Sequence, residues 1–300
     1  YQLLSRLGFD RVMNWPMFES MPAPLSEADA KALVDYRRTI DDAHAAGLEF
    51  WLVQTPNLTP PQSIAAKPWK ERNPYPVWKH VRLDDPAEAA AYFAHRRAMM
   101  KIVNSADAYV TIDGDPGGYP GARPEEWLSV FLADRAAIDA HGTAPTKQRV
   151  IPWVWCGWGT DSVWGGNANS PPERIMPFVK ASLEKLGPGM PEPWGLLPGR
   201  SHRANFANGR VNIVLTEEAG LMPRSTLLLY EAIEFEPSIP GSVLQFDTIR
   251  SCLRDEAQHA ATCDGVFGNA QQPVMVLPNL YFFARGAADL SYLDTPDEQV

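Results

Sequence analysis

Strand-like runs and helical stretches alternate along the whole chain, and that alternation restricts the fold more than any other feature. FDRVMNW, LEFWLVQTPN, AYVTID, RVIPWVWCGWG, PWGLLP, STLLLYEAIEFEP and DGVFGNAQQP read as strands. YQLLSRLG reads as the end of a helix, and SEADAKALVDYRRTIDDAHAAG as a long one, capped by Ser26 and closed by Gly47. DDPAEAAAYFAHRRAMMKIVNSA, with Pro86 early in it, RPEEWLSVFLADRAAIDAHG, SPPERIMPFVKASLEKLG and VLQFDTIRSCLRDEAQHA read as further helices. A Pro- and Trp-rich loop spans Leu58 to Val81. Repeated βα units imply a parallel sheet, and seven of them in 300 residues fit a (β/α)8 TIM barrel better than an open doubly wound sheet. No GxGxxG follows the first strand, which argues against a dinucleotide fold. The expected fold class is therefore α/β, with residues 1–300 forming a single (β/α)8 catalytic domain. Its first strand lies upstream of Tyr1 or is not recognised, which makes FDRVMNW strand two and AYVTID strand four.

Composition narrows the partners. Hydrophobic residues make up 45% of the chain, ample for a large core, and the net charge of −9 repels a phosphate backbone. No Lys/Arg cluster offsets that repulsion, so nucleic acid is not expected as a partner. The longest apolar runs fall far short of the ~20 residues of a membrane-spanning helix, so no membrane partner is expected either. Cys156, Cys252 and Cys263 show no CxxC spacing; a Cys252–Cys263 disulfide is one arrangement, and thiols are the better reading. The chain starts at Tyr1 rather than Met, which suggests a processed or excised product whose targeting information lies elsewhere. A secreted or periplasmic location is slightly favoured.

Active sites of (β/α)8 barrels sit at the carboxyl ends of the strands. Those exits carry Asn14, Trp15 and Glu19, then Gln54, Thr55 and Asn57, then Asp113 and Asp115. Trp155, Trp158, Asp161 and Trp164 follow RVIPWVW, and Arg200 and His202 follow PWGLLP. The last two exits supply Glu231, Glu234 and Glu236, then Asn269 and Gln271.

Within AYVTIDGDPGGYPG, a buried-looking strand ends in Asp113-Gly-Asp115, and Gly117 and Gly118 free the backbone behind it. Residues i and i+2 of an extended chain face one side, about 6.5–7 Å apart. Two carboxylates that close push their pKa values apart, so that one holds a proton while the other stays ionised. Glycoside cleavage uses that split: one group protonates the leaving oxygen and the other handles the cationic carbon. The plain alternative is a solvated Asp-Gly-Asp turn bent by Pro116. A calcium loop fails, because Gly117 stands where the third ligand belongs and Pro124 stands at the twelfth position, where a bidentate Glu belongs. A phosphate cradle lacks its Gly-Lys-Ser/Thr, and zinc lacks support from the six scattered histidines. Neither a metal nor a cofactor is expected.

Glu234 and Glu236 alternate with Ile233 and Phe235, so a regular strand would aim both acids into the barrel mouth. A charged strand end explains them equally well. The chain has ten tryptophans, and IPWVWCGWGTDSVWGG alone holds four. Trp155, Trp158 and Trp164 suit the apolar face of a pyranose, while Asn14, Trp15, Asn57, Arg200, His202 and Asn269 could meet hydroxyls. Arg200 or His202 could instead bind a uronic acid or a sulfate. Trp153 and Trp155 also fit a core stripe.

On TIDGDPGG and LGFDRVMNW the chain resembles the (β/α)8 glycoside hydrolases, most closely the β-N-acetylhexosaminidase-like group. That group carries an acidic pair at the end of strand four and a similar second helix-to-strand passage. The resemblance implies a hydrolase of oligo- or polysaccharides with Asp115 as general acid. Asp113 would then orient an acetamido group or stabilise the oxocarbenium ion. The family's pairs are adjacent Asp-Glu or Asp-Asp, whereas this chain has Asp-Gly-Asp. A clan variant would pair Asp115 with Glu234 or Glu236 as nucleophile. Two other classes remain at this stage: a non-catalytic carbohydrate-binding barrel, and a metal-dependent lyase or hydrolase built on Asp113, Asp115 and a glutamate.

Overall fold

A computed structural model describes residues 1–72, 79–112, 123–144, 147–154, 172–200, 210–230, 232–233, 244–271, 273 and 276–300. In chain order its helices are α1 (Gln2–Arg6), α2 (Glu27–Ala45), α3 (Gln62–Ala65), α4 (Pro86–Ile102), α5 (Pro124–His141), α6 (Pro172–Gly189), α7 (Val211–Glu218), α8 (Phe246–Glu256) and α9 (Leu277–Ala288). Its strands are β1 (Arg11–Asn14), β2 (Glu49–Gln54), β3 (Leu58–Thr59), β4 (Lys79–His80), β5 (Ala108–Ile112), β6 (Arg149–Val154), β7 (Leu197–Arg200), β8 (Thr226–Leu229) and β9 (Gly265–Gly268). The chain divides into two compact units, Arg11–Gly195 and the combination of Tyr1–Asp10 with Leu196–Val300.

In the Arg11–Gly195 unit, β1, β2, β5 and β6 pair in parallel, with Val12 opposite Phe50, Leu52 opposite Tyr109 and Val110 opposite Ile151. Every residue of Ala108–Ile112 is buried, as is Phe50–Gln54 of β2. Such near-continuous burial is the mark of parallel strands covered on both faces. Local signals set the helix ends. Ser26 Oγ accepts the Asp29 amide at 3.0 Å, and Gly47 takes φ +80° just past α2. Asp85 caps α4 by accepting the Ala87 and Glu88 amides, and Pro86 occupies the first helical turn, where its missing N–H costs nothing. Trp127, Val130 and Phe131 of α5 and Phe50, Trp51 and Ile151 of the strands form much of the core. The loop after β2 contains the short antiparallel pair β3–β4, Leu58 opposite His80, and the single turn α3.

In the other unit, β7, β8 and β9 pair in parallel, with Gly199 opposite Leu228 and Leu227 opposite Val266. Ile213, Leu227, Leu229, Ile249, Leu280 and Phe283 form its core, and Leu4, Leu7 and Phe9 of the N-terminal segment pack against it. Phe9 stacks on Phe283 at 6.5 Å between ring centroids. Cys252 and Cys263 are both thiols, not joined to each other.

Every one of the seven parallel strands leads into a helix, the βα repeat that the sequence predicts. Three details differ from the sequence reading. Strand β7 begins at Leu197 rather than Pro193; Trp194 and Leu196 make only single bridges, to Val150 and Ser225. Helices α7 and α9 are additional; VNIVLTEE is rich in β-branched residues, which favour strands, and LPNLYFFARGAA carries a proline in its first turn and holds a glycine. Strand β8 stops at Leu229, where the Ala232 amide turns back to the Leu229 carbonyl at 3.1 Å. The period-two alternation expected to orient Glu234 and Glu236 therefore does not run on from β8. No described helix is long and apolar enough to cross a membrane.

Candidate active site

Asp113, Asp115, Glu234, Glu236, Trp155, Trp158, Trp164 and His202 lie outside the described residues, as do Glu231 and Asp161. Strand β5 reaches Ile112, immediately before the first of the two aspartates. The remaining expected residues are described, and they fall into both units.

At the exit of β1, Asn14 is exposed and its Oδ1 accepts the Tyr36 hydroxyl at 2.5 Å. Trp15 turns its indole Nε1–H onto Glu19 Oε1 at 2.7 Å. Asn57 is buried, and its side-chain amide donates to the Val81 carbonyl at 2.6 Å while the Val81 amide returns a bond to the Asn57 carbonyl. Its side chain thus joins the loop after β2 to the end of β4, and is engaged by backbone.

Arg200, at the end of β7, is buried and held by α8: Nη1 meets Glu256 Oε1 and Nη2 meets Asp255 Oδ2, both at 2.8 Å. Arg210 also pairs with Glu256. The Arg200 Nε–H stays buried without a partner among the described residues, one donor not absorbed by the ion pairs. Those bonds hold the Asp255 carboxyl below its usual range. Asn269 follows β9 directly, and its amide nitrogen is likewise buried and unbonded among the described residues.

The sequence reading placed Glu19 at the rim without giving it a role. In the structure it anchors a cavity of about 300 Å³ within the Arg11–Gly195 unit. Phe18, Met21, Leu58, Val81, Tyr92 and Met99 supply much of its apolar wall. Glu19 is 7% exposed. Burial raises its carboxyl to about 7, against the opposing pull of its own amide, the Trp15 indole, the Arg96 charge and the Thr55 hydroxyl. The Thr55 hydroxyl lies beside the carboxyl and is one of the groups that oppose the rise.

Beneath this cavity lies a buried ion pair. Arg96 grips Asp134 in bidentate fashion, Nε to Oδ1 at 2.5 Å and Nη2 to Oδ2 at 2.8 Å. The same guanidinium donates to the Thr55 carbonyl, the Tyr92 hydroxyl and Thr111 Oγ1 at 2.7–2.9 Å. Gln54 completes the carboxylate's shell at 3.1 Å. Burial disfavours the Arg96 charge, but Asp134 and Tyr92 outweigh it and hold the guanidinium protonated. The network fastens α4 and α5 to the carboxyl ends of β2 and β5. Among the described residues, no group of three or more His, Cys, Asp or Glu side chains could hold a metal ion.

No protein-family model matches the chain, and no curated protein matches it in sequence. Solved structures do. An O-GlcNAc hydrolase from Thermobaculum terrenum aligns with a TM-score of 0.54 at 10% identity, over 97% of this chain and 56% of that one. A family 5 glycoside hydrolase from Prevotella bryantii B14, determined with a xyloglucan tetradecasaccharide, also gives 0.54, at 13% identity over 96% of this chain and 85% of its own. The chain has a (β/α)8 fold. It spans little more than half the length of the first of these neighbours. The resemblance to (β/α)8 glycoside hydrolases drawn from TIDGDPGG thus holds at the level of fold.

Proposed function

We propose that this chain is a single (β/α)8 catalytic domain that hydrolyses a glycosidic bond in an oligo- or polysaccharide. The observation that carries the reading is the fold, shared over 96% of the chain with a glycoside hydrolase determined with a xyloglucan oligosaccharide. It is supported by Asp113 and Asp115, which follow directly on a fully buried strand. In this reading Asp115 protonates the glycosidic oxygen as the bond to the anomeric carbon breaks. Asp113 steadies the positive charge that develops on the ring.

Within the class, the aspartate tandem favours the β-N-acetylhexosaminidase-like group, with Asp113 orienting the acetamido group of the substrate. The competing assignment gives the nucleophile's role to Glu234 or Glu236. Trp155, Trp158 and Trp164 form the sugar platform, and Asn14, His202, Asn269 and the unengaged Nε–H of Arg200 serve hydroxyls, while the buried Asn57 and the Trp15 indole, both engaged within the protein, shape the surrounding loops. Initial rates on aryl glycosides and polysaccharides, for the wild type, Asp115→Asn and Glu234→Gln, test the chemistry. A preference for aryl N-acetylglucosaminides over aryl glucosides supports the acetamido role, and equal rates in all three proteins remove it. A single cooperative unfolding transition of the whole chain would support one domain, and two separable transitions would refute it.

A further inference from the structure

We propose that the cavity beside Glu19 is a binding site for a small, uncharged, hydrocarbon-like molecule of the size of a two-ring aromatic. The site does not depend on the chain's being a glycosidase, and its test requires no turnover. All the residues that line it belong to the Arg11–Gly195 unit. Its volume of about 300 Å³ lies at the small end of ligand cavities. Ala23, Lys79, His80 and Ala91 of its lining are exposed, so the cavity reaches the surface and a ligand has a way in.

The class of ligand follows from where the polar side chains of the wall direct their hydrogen bonds. All five N–H groups of Arg96 are used inside the protein, two on Asp134 and one each on the Thr55 carbonyl, the Tyr92 hydroxyl and Thr111 Oγ1. Gln54 donates to Asp134, and His95 Nε2 lies 2.9 Å from the Met21 carbonyl oxygen. Glu19 Oε1 accepts the Trp15 indole, and the Thr55 hydroxyl lies beside the same carboxyl. Glu19 Oε2, Thr55 Oγ1 and His95 Nδ1 are enclosed by the protein and offer no surface for a ligand to meet. At the rim, Glu88 is taken up by Arg82. The surface left facing the cavity is chiefly carbon, much of it from Phe18, Met21, Leu58, Val81 and Met99.

Size and solvation then select the guest. An apolar cavity of about 150 Å³ takes up one benzene ring, so this one has room for about two. Moving such a body out of water is favourable in proportion to the apolar area it buries. A pyranose of similar bulk gains little here, because its hydroxyls would leave water for a wall with few free partners. An anion reaching the inner wall finds the Arg96 guanidinium fully bonded and matched by Asp134. Met21 and Met99, unbranched and flexible, let the wall adjust to a guest's outline.

The test titrates naphthalene, benzene and glucose into the wild-type chain, isotopically labelled at its methionine methyl groups and followed by NMR. The Met21 and Met99 signals are assigned through Met21→Leu and Met99→Leu, which nearly conserve volume. Naphthalene should bind at least roughly tenfold more tightly than benzene, the consequence of its larger apolar area. Both should move the Met21 and Met99 methyl signals through their ring currents. Glucose should move neither, even at about a hundredfold higher concentration than naphthalene. The affinities come from the wild type alone, so they stand even if a substitution disturbs the fold. Naphthalene and benzene binding equally, glucose moving those methyls as readily as naphthalene, or saturating naphthalene leaving both methyls unmoved would each overturn the proposal.

Discussion

Glu19→Gln offers a quantitative test of the buried acid, because the wild-type side chain titrates and the variant's does not. In the unfolded chain a glutamate binds its proton with an ordinary midpoint of 4.5, and in the fold the Glu19 midpoint is about 7. Between those values the folded protein keeps a proton that the unfolded chain has released. The unfolded state then binds fewer protons than the native state, so stability falls as pH rises. The contribution is fully present below pH 4.5, declines through the window and is gone above about pH 7. At about 1.4 kcal/mol per pH unit the loss amounts to roughly 3 kcal/mol. The substituted glutamine would fill the same space and still offer an oxygen to the Trp15 indole. The stability difference between the two proteins should therefore shift by roughly 3 kcal/mol in favour of the variant from about pH 4.5 to about pH 8. Urea unfolding curves across that range, with unchanged slopes, supply the measurement. A difference constant to within about 1 kcal/mol would refute the claim that burial dominates this carboxyl.

Removing one side of the buried pair with Arg96→Met should destabilise the protein by roughly 3–5 kcal/mol, because Asp134 is then left charged and enclosed. The double variant Arg96→Met/Asp134→Leu should recover much of that loss in the same thermal or urea assay; no recovery would argue that the guanidinium's bonds to Thr55 and Thr111 matter more than its charge. Gly268→Ala should cost about 1–3 kcal/mol. A Cβ there would overlap Ile233 Cδ1 and Cγ1 and press on Phe283 Cζ at 3.4 Å; a melting temperature equal to the wild type would mean the Ile233 side chain yields.

The order of elements was legible because most of the parallel strands are short apolar runs and α2 and α4 announce their starts with capping residues, Ser26 and Asp85. AYVTID became β5 to within one residue, and LEFWLVQTPN became β2, which ends three residues earlier, at Gln54. Helix α9 was missed although LPNLYFFARGAA buries one face through Leu280, Phe282 and Phe283; it lacks a side-chain cap, and its Pro278 and Gly286 read as loop signals. At the strand ends, the type of residue was legible and its engagement was not. Arg200 reads as a ligand for acidic groups, yet its partners Asp255 and Glu256 stand more than fifty residues away in α8. The Arg96–Asp134 pair did leave a trace. Asp134 is the lone acid on the buried face that α5 builds from Trp127, Val130, Phe131 and Ile138, and Tyr92, His95, Arg96 and Met99 share one face of α4. A charge on an otherwise buried helical face asks for a partner. What no spacing could show is that both faces converge beside Glu19, which requires the parallel register of β2 and β5.

The most direct test of the glycosidase reading is the dependence of rate on leaving group in Asp115→Asn. A general acid matters most when the departing oxygen is strongly basic and least when it leaves unaided, and its removal typically costs about 10²–10⁴-fold. Hydrolysis of an unactivated disaccharide should therefore fall by at least about a hundredfold, while that of a dinitrophenyl glycoside falls far less. An equal effect on both substrates, or no effect on either, would contradict proton donation by Asp115.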